Sequence, residues 1–140
     1  PFYAALSYSG EMQWSPADPR DDAVTAFFNR HQRGDKGLGP ALGPEAAEGA
    51  AAVFDEAGFE VLRADSPWNL GTESVALQRE LTNGIAAAAG EAGIDDADAW
   101  GRHRHDLAQR TTCRIGHVDL LAIPKTAGRP PDLAADRAVR

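Results

Sequence analysis

Covalent staples are nearly absent from this chain: among 140 residues there is one cysteine, Cys113. A single thiol allows no internal disulfide and is too few for a cysteine-built metal site. Positive charge is also scarce, with 14 Lys and Arg against 21 Asp and Glu and a formal net charge of −7. Polyanions are held through clustered cations, so no nucleic-acid partner is expected. No apolar stretch approaches the roughly 20 residues that cross a bilayer, and no basic-then-apolar leader opens the sequence. No membrane partner is therefore expected, and the expected location is cytoplasmic. Serine, histidine and aspartate do not occur in the order of a hydrolase triad, and neither a nucleophile elbow, paired catalytic carboxylates nor zinc-ligand spacing is present.

What is present is an ordinary globular composition, 43% hydrophobic and 25% charged, which excludes disorder, collagen and coiled coil. The chain opens Pro1-Phe2-Tyr3-Ala4-Ala5-Leu6, with no Met and no lead-in before an apolar run, and this reads as a cut end. Phe2 to Tyr8 reads as a short buried strand stopped by Ser9-Gly10, and Glu11 to Arg20, with Pro16 and Pro19, as a loop. Asp21 or Asp22 is placed to cap a helix, and Val24, Phe27, Phe28 and His31 share one face of it at i, i+3, i+4 and i+7.

Gly34, Gly37, Gly39, Pro40, Gly43 and Pro44 then break regular structure and give an extended loop carrying Lys36. Pro44 starts an Ala-rich helix that ends at Gly58, and Phe59 to Ala64 reads as a strand; helix, glycine and strand in succession is an α/β pattern. Asp65 to Gly71 reads as a second loop. Thr72 to Arg110 reads as two helices separated by Gly90 and Gly93, with Arg104 on an exposed face of the second. The last strand, Thr112 to Ile123, is nearly continuously apolar and reads as central, with Pro124 stopping it. Residues 125–140 are too polar to repay ordering and read as a disordered tail.

Several side chains are candidates for chemistry. His31 sits among Asn29, Gln32, Asp35 and Lys36 where a helix runs into a long loop, which suits either a titratable group beside a substrate or a histidine that fixes the loop backbone. Tyr8, Trp14 and Trp68 lie at strand ends or in the loops after them, where α/β sheets bind ligands; packing of loops over the sheet is the alternative for each. His117 and Asp119 share a strand face, as a satisfied pair or as ligand contacts. Gly37 to Gly43 superficially resembles a phosphate loop, but it follows a helix rather than a strand, and Pro40 removes a donor.

Ala5-Leu6-Ser7-Tyr8-Ser9-Gly10 with Trp14, Pro16 and Asp21, then Phe28-Asn29-Arg30-His31-Gln32, Asp35-Lys36-Gly37, Gly39-Pro40-Ala41-Leu42-Gly43-Pro44 and Gly116-His117-Val118-Asp119-Leu120-Leu121-Ala122, resemble the C-terminal half of bacterial class I S-adenosylmethionine-dependent methyltransferases. The likeness runs over nearly the whole chain to Pro124. It implies a Rossmann-like α/β fold in which residues 1–124 supply the fifth, sixth and seventh strands, with the seventh antiparallel between the other two and a helical insertion at about 72–110. The glycine-rich cofactor turn and acidic ribose-binding residue of that family are not among these residues, so the resemblance assigns S-adenosylmethionine to the preceding half of the complete enzyme. It further implies a small-molecule methyl acceptor, with His31 as the base where the acceptor must lose a proton. Tyr8, Trp14 and Trp68 would line the acceptor pocket, and Gln32 or Lys36 would orient a polar group. A different reading is a non-enzymatic module. Three strands leave an edge at Phe2 to Tyr8 uncovered, and such an edge recruits a second copy or the preceding half.

Overall fold

The structure is a computed structural model, which describes residues 1–125. In chain order the elements are β1 (Phe2–Ser15), α1 (Asp21–Gln32), α2 (Ala46–Glu56), β2 (Phe59–Asp65), β3 (Trp68–Leu70), α3 (Val75–Glu91), α4 (Ala97–Leu107) and β4 (Thr112–Pro124). The fold is α/β, with one open four-stranded sheet. β4 lies between β1 and β2 and runs antiparallel to both, as expected of the last strand, and β3 also pairs antiparallel with β4. The tail expected over 125–140 falls, beyond Lys125, outside the described residues. No helix among the described residues is long and apolar enough to cross a membrane.

Several expectations are corrected, beginning with Phe2 to Tyr8, read as a buried strand, where Phe2, Tyr3 and Leu6 are exposed. Strand β1 does not stop at Ser9-Gly10 but continues to Ser15. A register shift between Tyr8 and Met12 absorbs the intervening residues, and Gly10 takes φ +91° there, a conformation cheap only for glycine. The sheet also has a fourth strand, since Trp68 to Leu70, read as loop, pairs with Ile115 to Cys113.

Alternation along β4 divides the core. Cys113, Ile115 and His117 face one way and Leu120 and Ala122 the other. The first face is covered by α1, α3 and α4, where Met12, Trp14, Val24, Ile85 and Trp100 are buried together. The second receives α2 through Ala51, with Phe54, Phe59 and Val61 around it. Helices α3 and α4 cross closely because Gly101 has no side chain: a Cβ there would lie 2.7 Å from that of Ala86.

Asp21 does not cap α1 through its side chain; the cap residue is Arg20, and no side-chain cap bond forms. The Asp21 carboxylate is buried instead. It accepts hydrogen bonds from Trp100 Nε1 at 2.8 Å and Arg104 Nε at 3.2 Å, and Arg104 Nη1 donates to the Pro16 carbonyl at 2.9 Å. Arg104, expected on an exposed face, is 2% exposed. A guanidinium tolerates that depth only because its donors meet a carboxylate and a carbonyl.

Candidate functional site

Tyr8 and His117 are cross-strand partners in the β1–β4 ladder, and Trp68 enters β3 beside them. The three rings meet: His117 lies 5.0 Å from Trp68 and 6.3 Å from Tyr8, centroid to centroid, and Phe28 of α1 packs edge-on against Tyr8 at 5.5 Å. Two of the expected pocket residues, Tyr8 and Trp68, are thus brought together around His117. Burial leaves Tyr8 OH and His117 Nδ1 without a hydrogen-bond partner. It raises the Tyr8 phenol well above its ordinary range and lowers the His117 imidazole, because each charged form is disfavoured away from water. Both groups are therefore neutral near pH 7.

His117 and Asp119 share a face, but no hydrogen bond joins them. Asp119 accepts instead from Ser66 Oγ at 2.6 Å, from the Leu6 backbone N–H at 2.9 Å and from the Tyr3 hydroxyl. These donors hold its carboxyl below the usual range. Leu6 has φ +57°, a strained conformation for leucine, at a second register shift in β1, and its bond to Asp119 pins it there.

His31 lies in the last turn of α1. Its Nε2 lies 2.9 Å from Glu91 Oε2, at the end of α3, and its Nδ1 lies 3.3 Å from Lys36 Nζ. A carboxylate can only accept, so Nε2–H donates to Glu91 and leaves the lone pair on Nδ1, while Lys36 Nζ lies beside both ring nitrogens, at 3.3 Å from Nδ1 and 3.5 Å from Nε2, aligned on neither. Phe28, one turn earlier on α1, links this group to Tyr8. Gln32 lines a groove on the α1–α3 seam, with Phe28 and Leu81.

Trp14 belongs to a different neighbourhood. It is buried edge-on against Trp100 at 5.2 Å, with Arg104 stacked over its ring at 5.4 Å. The N-terminal end of α1 bonds to Trp100 through Asp21, whereas His31 lies ten residues along the helix, about 15 Å at ~1.5 Å per residue. Trp14 and His31 thus mark opposite ends of α1. Trp14 also borders a cleft of about 450 Å³ where Gln13, Arg114 and Asn69 form a polar row across β1, β4 and β3.

Sequence reasoning missed the partners more than the residues. Glu91, Asp21 and Ser66 lie 60, 83 and 53 positions from His31, Arg104 and Asp119 respectively. No local spacing signals such contacts.

The glycine-rich loop does not fit a cofactor. Its Gly37 and Gly39 N–H groups, the donors such a cradle offers, both donate to Asp35 Oδ1, at 2.7 and 2.9 Å. A scan against known protein families finds no match to this chain, and a search of curated proteins finds none either.

Proposed function

We propose that this chain is the acceptor-side part of an S-adenosylmethionine-dependent methyltransferase, acting on a small polar molecule. The observation that carries the reading is the strand order β1-β4-β2 with β4 antiparallel to both neighbours, the order implied for the last three strands of that fold. The edge of β1 supports it, since among the described residues β1 pairs on one side only, and it exposes Phe2, Tyr3 and Leu6. An edge of that kind is completed by a further strand. The cofactor is assigned to the elements that complete the sheet.

The chain's own contribution is orientation, exclusion of water and removal of a proton. Tyr8 packs on Phe28 and Trp68 on His117, and in this reading that aromatic group supplies the apolar side on which an acceptor is held dry. His31 is the base. Glu91 holds its Nε2–H and keeps the Nδ1 lone pair as the proton-accepting atom, while Lys36, beside the ring, orients a polar group on the acceptor.

Calorimetric titration with S-adenosylmethionine should show binding by the full-length gene product and none by this 140-residue chain. Absence of binding by both removes the methyltransferase reading. Binding by the short chain overturns the placement of the cofactor. In the full-length enzyme His31→Ala should lower kcat by about 10²–10⁴ with KM little changed; an unchanged kcat removes the base. A second reading, a non-enzymatic module that pairs through β1, is favoured by the same exposed edge. It predicts edge-mediated association with no cofactor binding in any form of the protein.

A further inference from the structure

The loop between α1 and α2 holds an apolar side chain out in water on a stiff frame. The Asp35 carboxylate takes the Gly37 and Gly39 N–H groups, Asp35 and Pro40 form an isolated antiparallel bridge, and Ala41 N–H donates to the Gly34 carbonyl at 3.3 Å. Gly37 and Gly39 have φ of +104° and +92°, which other residues rarely adopt. Between them Leu38 is 103% exposed. A slack loop lets a leucine fold back onto the chain, whereas this frame points it outward with its backbone already ordered.

A recess lies beside it. The α1–α3 seam carries a groove of about 380 Å³ lined by Phe28, Gln32, Leu77, Leu81 and Ile85, with Glu80 on its rim. Gln32 is the last residue of α1, so the groove ends where the loop begins. Leu77 is 43% exposed, an apolar side chain awaiting cover.

We infer that the chain forms a two-fold dimer in which Leu38 of each copy enters the α1–α3 groove of the other. A two-fold interface uses one patch twice, so it needs protrusion and recess side by side on the same surface, as they are here. The charges also match. Lys36 stands two residues before Leu38, Glu80 borders the groove, and within one chain Lys36 lies against His31 rather than Glu80. Across the two-fold axis Lys36 of one copy reaches Glu80 of the next. The dimer does not require methyl transfer, but it shares Phe28 and Lys36 with the proposed acceptor site.

Sedimentation of the 140-residue chain should show a dimer. Leu38→Asp should weaken it by at least about tenfold, because a buried apolar anchor carries most of a small interface; the circular dichroism of the variant should be unchanged, since Leu38 is exposed within one copy, and its melting should lose the concentration dependence of a dimer. Lys36→Glu and Glu80→Lys should each weaken association, and together restore it. When Leu38→Cys and Leu77→Cys proteins are mixed, oxidation should join them into a disulfide-linked pair. A monomer at high micromolar concentration overturns the inference. So does a dimer indifferent to Leu38→Asp, which is the behaviour of pairing through the β1 edge.

Discussion

At the scale of single residues, burial rather than pairing sets the chemistry of the sheet's covered face. The Cys113 thiol, enclosed by the core, is pushed up to about 11, so almost none of it is thiolate at neutral pH. His117 is shifted the opposite way, below its ordinary 6.5, because burial disfavours the imidazolium. The unfolded chain takes up a proton at this residue as pH falls through about 6.5, while the folded chain resists until lower pH. The stabilising contribution is therefore complete above that value and is lost as the medium acidifies. Urea midpoints at about pH 7.5 and about pH 5.5 should differ less for His117→Phe than for the unaltered chain. Equal differences in the two proteins would show that the imidazole protonates freely in the fold. Asp119 contributes in a separate, more acidic window. Its carboxyl is held low by Ser66, Tyr3 and the Leu6 amide, so its contribution is present above the ordinary carboxylate range and fades as pH falls through it.

At the scale of elements, α1 and α4 are joined by a charge pair rather than by apolar contact alone. Replacing Asp21 with Asn keeps the volume but leaves the Arg104 guanidinium enclosed without a counter-charge. A loss of about 3–5 kcal/mol is expected by chemical denaturation, a large part of the ~5–15 kcal/mol typical of a domain. The double variant Asp21→Leu with Arg104→Met should recover much of that loss, and a strictly additive result would mean the two residues act separately. The helix face of Val24, Phe27 and Phe28, the apolar run of β4 and the Gly58 stop before β2 were legible in the sequence, because each rests on local periodicity or on a residue with one dominant backbone preference. The extension of β1 was not, since Ser9-Gly10 carries the marks of a turn and only pairing with β4 turns it into a shifted ladder. Three-residue β3 has no period to read. Arg104 looked exposed because its acidic partner lies on another helix. The candidate site shows the same division: Tyr8, Trp68 and His31 could be picked out by type and position, but what each touches depended on the sheet.

At the scale of the whole molecule, protection is expected to be graded about β4. That strand is hydrogen-bonded on both sides along most of its length, whereas β1 has one edge unpaired among the described residues. Backbone amides of Ile115 to Leu121 should exchange with solvent most slowly, at the rate of global unfolding. Those β1 amides directed at the free edge should exchange much faster. Uniform protection of both strands by mass spectrometry or NMR would show that the edge is covered in solution, by a second copy or another segment. The covering of α1–α3 by a dimer mate would slow exchange elsewhere, in the loop around Leu38, so the two surfaces report separately.

Every strand pairing among the described residues has β4 as one member, and β4 comes last in the chain order. During synthesis β1, β2 and β3 thus emerge before β4, the strand among the described residues to which each of them is bonded. Until residues near Leu120 have cleared the exit tunnel, the side of β1 that meets β4 stays unpaired. Closing loops of up to 120 residues at one final step makes a slow, late, all-at-once transition. During synthesis the exposed strand is the natural target for a holding chaperone.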